Sequence, residues 1–192
     1  MPPVSLAVPA AGRIKKSNIF LPTCSSLCAT LVLPSDRREA NMELELDEEL
    51  RRQFNNKHKV IAHFATVDAG NGYAPEIRPM TLLEDGWRFY IATSVSSRKA
   101  KEMVSHPKAA FLVYFHDGKN AGYLRVTGKL QTVTDAVTRD KIVKAAAYPL
   151  ECRWKGGAAD PNLYFTRIIP ERAEYLRPGE DESKDISREF PR

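Results

Sequence analysis

Between residues 60 and 133 tight-turn signals cut the chain into apolar or alternating stretches, and most of these are too short for anything but β-strands. Val60 to Val67 alternates and is rich in β-branched residues, so it reads as a first strand. Asp68 to Gly72 supplies a turn, and Ala74 to Leu83 reads as the second strand. Pro75 and Pro79 cannot donate to a ladder, which marks that strand as an edge or a bulged one. Glu84-Asp85-Gly86 forms the next hairpin turn, after which Trp87, Phe89, Ile91 and Thr93 share one face of a third strand. Ala109 to Phe115 is nearly continuously apolar and is expected to be buried on both faces. Asp117-Gly118-Lys119-Asn120 then turns the chain into Tyr123 to Val133, and Leu163 to Tyr175 follows as a last strand, bulged at Pro170. Short strands joined by tight turns, with a single helix among those from Val60 to Val133, suggest an antiparallel barrel rather than a parallel sheet.

That helix lies in the polar stretch Thr93 to Pro107. Ser96 or Ser97 can serve as its N-cap, Ala100, Met103 and Val104 recur as a buried stripe, and Pro107 sits just past its end. Ser97, Arg98 and Lys99 therefore fall at the helix start, where free backbone N–H groups and the helix dipole favour an anion. A phosphate is the ligand this chemistry suits, and a solvated basic helix face is the competing reading. Arg78, flanked by apolar residues, is either a ligand residue or half of an ion pair.

Helices are expected on both sides of the strands. Leu46, Leu50 and Phe54 recur every four residues from Glu43 to Phe54. Asp135 can cap a helix running to Ala147 with Val137, Ile142, Ala145 and Ala146 inward, ended by Pro149. The loop from Leu150 to Pro161 holds Trp154 and Gly156-Gly157 and can fold over a ligand.

With 43% hydrophobic and 28% charged residues, the 192-residue chain has room for one folded domain with a real core. Its net charge of +5 is concentrated in residues 1–41, where Arg13, Lys15, Lys16, Arg37 and Arg38 face only Asp36 and Glu39. No nucleic-acid partner is expected, since a basic tail is not a basic folded face. The run Ile19 to Leu33 is interrupted by Pro22, Thr23, Ser25 and Ser26, so no membrane association is expected either. Residues 1–41 read as a disordered extension, or as one created by a start codon placed too early, with a targeting peptide as the alternative because the segment is basic and acid-poor. The folded domain is expected over 42–176, with a flexible tail over 177–192. Three cysteines, Cys24, Cys28 and Cys152, suggest reduced thiols in a cytoplasmic protein, and no metal site is expected.

The order Ile77-Arg78-Pro79-Met80, Asp85-Gly86, Trp87 to Thr93, Ser97-Arg98-Lys99, His106-Pro107, Ala109 to Phe115 and Tyr123 to Gly128 resembles the pyridoxamine 5′-phosphate oxidase-like family of flavin-binding split barrels. The resemblance is strongest to the small branch typified by general stress protein 26, and it covers about Val60 to Tyr175. It implies a mainly β fold, a six-stranded antiparallel FMN-binding split barrel with flanking helices. It also implies that Arg78 and Met80 lie against FMN, that Ser97, Arg98 and Lys99 hold its phosphate, that Thr93 ends the adjoining strand, and that Tyr123 faces the flavin.

Members of the family are homodimers with FMN at the interface, so a homodimer and a small-molecule electron donor or acceptor are expected as partners. The resemblance implies an FMN-dependent oxidoreductase in which the flavin does the chemistry, and it singles out no catalytic side chain. A non-catalytic flavin carrier or stress sensor, a deazaflavin-dependent reductase and a haem-binding split barrel stand beside that reading. Leu83 replaces the lysine usual in the vitamin-processing oxidases, and their basic, Trp-containing carboxy-terminal motif is not found here. Pyridoxamine phosphate oxidation therefore ranks below these alternatives.

Overall fold

The computed structural model describes residues 45–54, 60–146 and 149–191. The expected extension over 1–41 lies outside the described residues. Helix α1 spans 45–54, and Leu50 and Phe54 are buried on it with Leu46 packed beside them, as their spacing predicts.

Seven strands follow: β1 (Val60–Asp68), β2 (Ala74–Asp85), β3 (Arg88–Ser94), β4 (Lys108–His116), β5 (Ala121–Thr132), β6 (Leu163–Leu176) and the short β7 (Lys184–Asp185). Every pairing is antiparallel, in the order β3-β2-β1-β4-β5-β6-β7. A further β3–β6 ladder joins Phe89 to Ile168 and Ser94 to Leu163, so the first six strands close on themselves. The six-stranded antiparallel barrel is thus formed by short hairpins plus longer returns, and the β3–β6 ladder closes it.

The turns obey local chemistry. Gly86 and Trp87 both adopt positive φ (57° and 62°) between Asp85 and Arg88, the two-residue hairpin that matches strand twist. A bulky residue is unfavourable there. Trp87 is held by its backbone N–H, which donates to Glu84 Oε1 at 2.6 Å, and by its indole N–H, which donates to Asp47 Oδ1 on α1 at 2.5 Å. The same contacts dock α1 against the barrel end. On the far side, the register slips between Thr127 and Gly128 so that Glu171 has no partner, which is the bulge expected at Pro170. Gly128 is required at that point, because a Cβ there would collide with the Ile169 carbonyl oxygen.

Two apolar clusters lie on the two sides of the sheet. Inside the barrel are Phe64, Phe89, Ile91, Phe111, Val113, Phe115, Leu124, Val126, Ile168 and Tyr175. Outside it, Leu83, Tyr90, Ala92 and Phe165 pack under α3 (Ala136–Ala145) and the segment around Leu150 and Trp154. Asp135 caps α3, its carboxylate accepting from Thr138 N at 2.7 Å. Asp135→Ala is expected to destabilise the protein by loss of the cap, read as a lower urea midpoint with an unchanged slope.

Four expectations differ from the structure. Strand β4 is buried on one face only: Ala109, Phe111, Val113 and Phe115 point inward, whereas Tyr114 is 48% exposed. On α3, Val137 is exposed and Ile142 and Val143 are buried. The inward polar position is Arg139, whose guanidinium donates to the carbonyls of Ala158, Val133 and Leu163. On α2 (Arg98–Ser105), Val104 is exposed and Glu102 takes the buried place instead. Finally, residues 177–191 pack on the barrel: Lys184 and Asp185 pair with β6, and Ile186 and Phe190 join the inner cluster. Phe190 makes ring contacts with Trp87 and Phe89, at 5.9 and 5.6 Å between centroids, which gives the segment an anchor its polar composition conceals.

Candidate functional site

Strands β2 and β3 pair only over Leu82–Asp85 and Arg88–Ile91. Beyond that point β2 continues along β1 alone, and β3 continues along β6 alone. The barrel wall therefore splits between Thr81 and Ala92, and backbone polar groups on both sides of the split are released from the ladder. Over Ala74 to Thr81 strand β2 is an edge, which is where Pro75 and Pro79 are tolerated.

A cleft of about 250 Å³ occupies this split, lined by Pro79, Met80, Thr81, Ala92, Thr93, Lys99, Arg153 and Trp154. Helix α2 begins at its mouth. Ser97 caps the helix, its Oγ accepting from Ala100 N at 3.2 Å, and shares a hydrogen bond of 3.2 Å with Thr93 Oγ1. Strand end and helix start are thereby tied together, and Lys99 is directed to the cleft. Trp154 is buried against the outer cluster, with the Arg153 guanidinium 5.4 Å from its ring centroid.

Behind the cleft lies a network around Glu102. Its carboxylate is almost wholly buried and accepts from Thr66 Oγ1 at 2.6 Å and from Arg78 Nη1 at 2.7 Å; Arg98 Nε stands 3.1 Å from its second oxygen. Arg98 Nη2 also donates to Glu76 Oε2 at 2.8 Å. Burial pushes the Glu102 carboxyl up, but the hydrogen bonds from Arg78 and Thr66 and the charges of Arg78 and Arg98 outweigh it, leaving the group below its ordinary value. Lys99 shows the opposite balance. Burial, then the positive charges of Arg78 and Arg153, lower its pKa against a weaker attraction from Glu102.

The residues singled out from sequence thus separate into three groups. Met80, Thr93 and Lys99 line the cleft, with Ser97 bonded to Thr93 behind them. Arg78 and Arg98 stand nearby but are paired with Glu76 and Glu102, the ion-pair reading of Arg78. Tyr123 stands elsewhere, on β5 beside Tyr114 of β4, with β1 and β4 between it and β2. Sequence reasoning missed Arg153 and assigned no role to Trp154. The only signal was an aromatic residue in a glycine-bounded loop.

The pyridoxamine 5′-phosphate oxidase family model matches residues 46–177. General stress protein 26 of Bacillus subtilis (strain 168) is 35% identical over 124 residues, which is 64% of this chain and 84% of that protein. Among solved structures, a Clostridium acetobutylicum protein related to general stress protein 26 superposes with a TM-score of 0.57 at 20% identity, covering 77% of this chain and 99% of its own. A haem-binding protein from Mycobacterium smegmatis shares the fold at 12% identity and a TM-score of 0.54, covering 69% of this chain and 55% of its own. With a family match over most of the folded residues and a split barrel to accompany it, the chain belongs to the pyridoxamine 5′-phosphate oxidase family, in the neighbourhood of general stress protein 26.

Proposed function

We propose that the chain binds FMN in the split between β2 and β3 and acts as an FMN-dependent oxidoreductase. The observation that carries this reading is the convergence of Lys99 and Arg153 on a cleft whose lining, among the described residues, supplies no carboxylate, with Arg78 adding charge behind them. A lysine destabilised by burial and by two like charges gains most from a bound dianion.

The residues present fit the flavin. Lys99, Arg153 and the first turn of α2 would hold its phosphate, and the backbone freed at Pro79 to Thr81 and Ala92 to Thr93 would meet the polar edge of its ring. Arg78 and Arg98 act in this reading as a charged rear wall kept in place by Glu102 and Glu76. Bound flavin supplies hydride and electron transfer, while this chain's residues orient it and exclude water.

A homodimer belongs to the same proposal. The outer face of β1, β2 and β4 exposes Ile61, Ile77 and Tyr114, an apolar surface suited to a second copy. Across that face Tyr123 serves the flavin held by the other protomer, which accounts for its distance from the split within one chain. We place the protein in the cytoplasm, in keeping with the free thiol of Cys152.

Steady-state oxidation of a reduced nicotinamide by the FMN-loaded protein tests the enzymatic part. Turnover above that of free FMN is the expected result; tight binding of FMN with no turnover across donors and acceptors would instead make the protein a flavin carrier.

A further inference from the structure

Strand β3 carries a second concave site at its other end. A cavity of about 360 Å³ opens on the outer face of the barrel where β3, β6 and the end of β5 meet the first turns of α3. The ladder pairs Tyr90 with Arg167 and Arg167 with Gln131, so these three residues form one row across the sheet. Arg88, two residues before Tyr90, projects from the same face and also lines the cavity.

Two carboxylates border the cavity, and both are committed. Asp85 accepts from Lys141 Nζ at 2.7 Å, and Asp135 caps α3. Among the described residues neither arginine is paired with an acid. Arg167 Nη2 donates to the Pro191 carbonyl at 3.0 Å, which fixes the orientation of its fork, while its Nε is buried without a partner. The Arg88 side chain makes no hydrogen bond or ion pair among the described residues. Two uncompensated guanidiniums in a concavity, one of them oriented in advance and carrying an unmet donor, match a planar or tetrahedral oxyanion.

We propose that this cavity is a binding site for a small organic anion, held through its phosphate or carboxylate group by Arg88 and Arg167, with Lys141 at the rim. The volume leaves room for a small body attached to that group. The site shares no lining residue with the split between β2 and β3, so it is separate from the flavin cleft.

The test is a titration of the full chain with inorganic phosphate and, separately, with succinate, followed by the arginine side-chain N–H resonances in ¹⁵N NMR. Signals of Arg88 and Arg167 are expected to shift and saturate with one of the two probes. Saturation by phosphate assigns a phosphoryl ligand, and saturation by succinate assigns a carboxylate. Arg88→Gln, a change on the exposed start of β3, is expected to weaken that binding about tenfold or more. A chain carrying both Lys99→Ala and Arg153→Ala, which silences the flavin cleft, should retain it. Non-saturating drift with both probes, or equal affinity in Arg88→Gln, would overturn the proposal.

Discussion

Replacing Lys99 and Arg153 together by alanine is expected to weaken FMN binding by about two orders of magnitude or more, measured by quenching of flavin fluorescence. Each residue in the proposed site contributes a charge-assisted contact to the phosphate, and such contacts are worth about 1.5–3 kcal/mol apiece. The fold should be indifferent to the change. Arg153 is exposed, and Lys99 is half-buried among like charges, so removing both relieves repulsion rather than breaking an ion pair. Arg98→Ala is expected to have a much smaller effect, because Arg98 is occupied by Glu76 and Glu102. The reverse order, with Arg98 decisive and the pair dispensable, would move the phosphate to the outer side of α2.

Glu102→Ala is expected to destabilise the protein by about 3–5 kcal/mol, because it strands the part-buried Arg78 guanidinium and removes the acceptor of Thr66 Oγ1. Denaturant unfolding near neutral pH reads this as a large drop in midpoint. The sign of the pH dependence follows from the lowered carboxyl. In the unfolded chain Glu102 takes up a proton at higher pH than in the native barrel. Its stabilising contribution is therefore complete above the ordinary glutamate value and is lost as pH falls through the depressed native one. The stability gap between the natural protein and Glu102→Gln should narrow over that acid range, and a gap independent of pH would show that Glu102 acts by shape alone.

Glu102 and Arg139 mark the limit of what was legible in the sequence. The strands and their order could be read because period-two alternation and glycine turns are local properties, and the bulge at Pro170 followed from a missing donor. Glu102 could not be read: on helical spacing Val104 is the apolar candidate, and the burial of a glutamate depends on Arg78, which arrives from β2, 24 residues earlier. The inward turn of Arg139 depends in the same way on carbonyls of the segments before and after α3.

At the cleft, Lys99 was legible as part of the first turn of a capped helix, whereas Met80 and Thr93 were named only through the family resemblance. Arg153 lies in a segment without period, and only the closure of the chain brings it to Lys99. Ile186 and Phe190 were hidden by the charged residues around them, and a run of mixed charge with two apolar residues can be tethered as firmly as Phe190 is by Trp87 and Phe89. The exposed side of β4 has a different cause. Apolar composition sets how much surface a strand can bury, and only a neighbouring layer decides whether its second face is covered.

The central claim is that the split between β2 and β3 holds FMN. The most direct measurement is the absorption spectrum of the purified protein before and after addition of FMN, with the excess removed. The account predicts a retained flavin spectrum at one FMN per chain, lost in the Lys99→Ala, Arg153→Ala protein. A protein that keeps no flavin, or one that instead shows the Soret band of a haem, would contradict it.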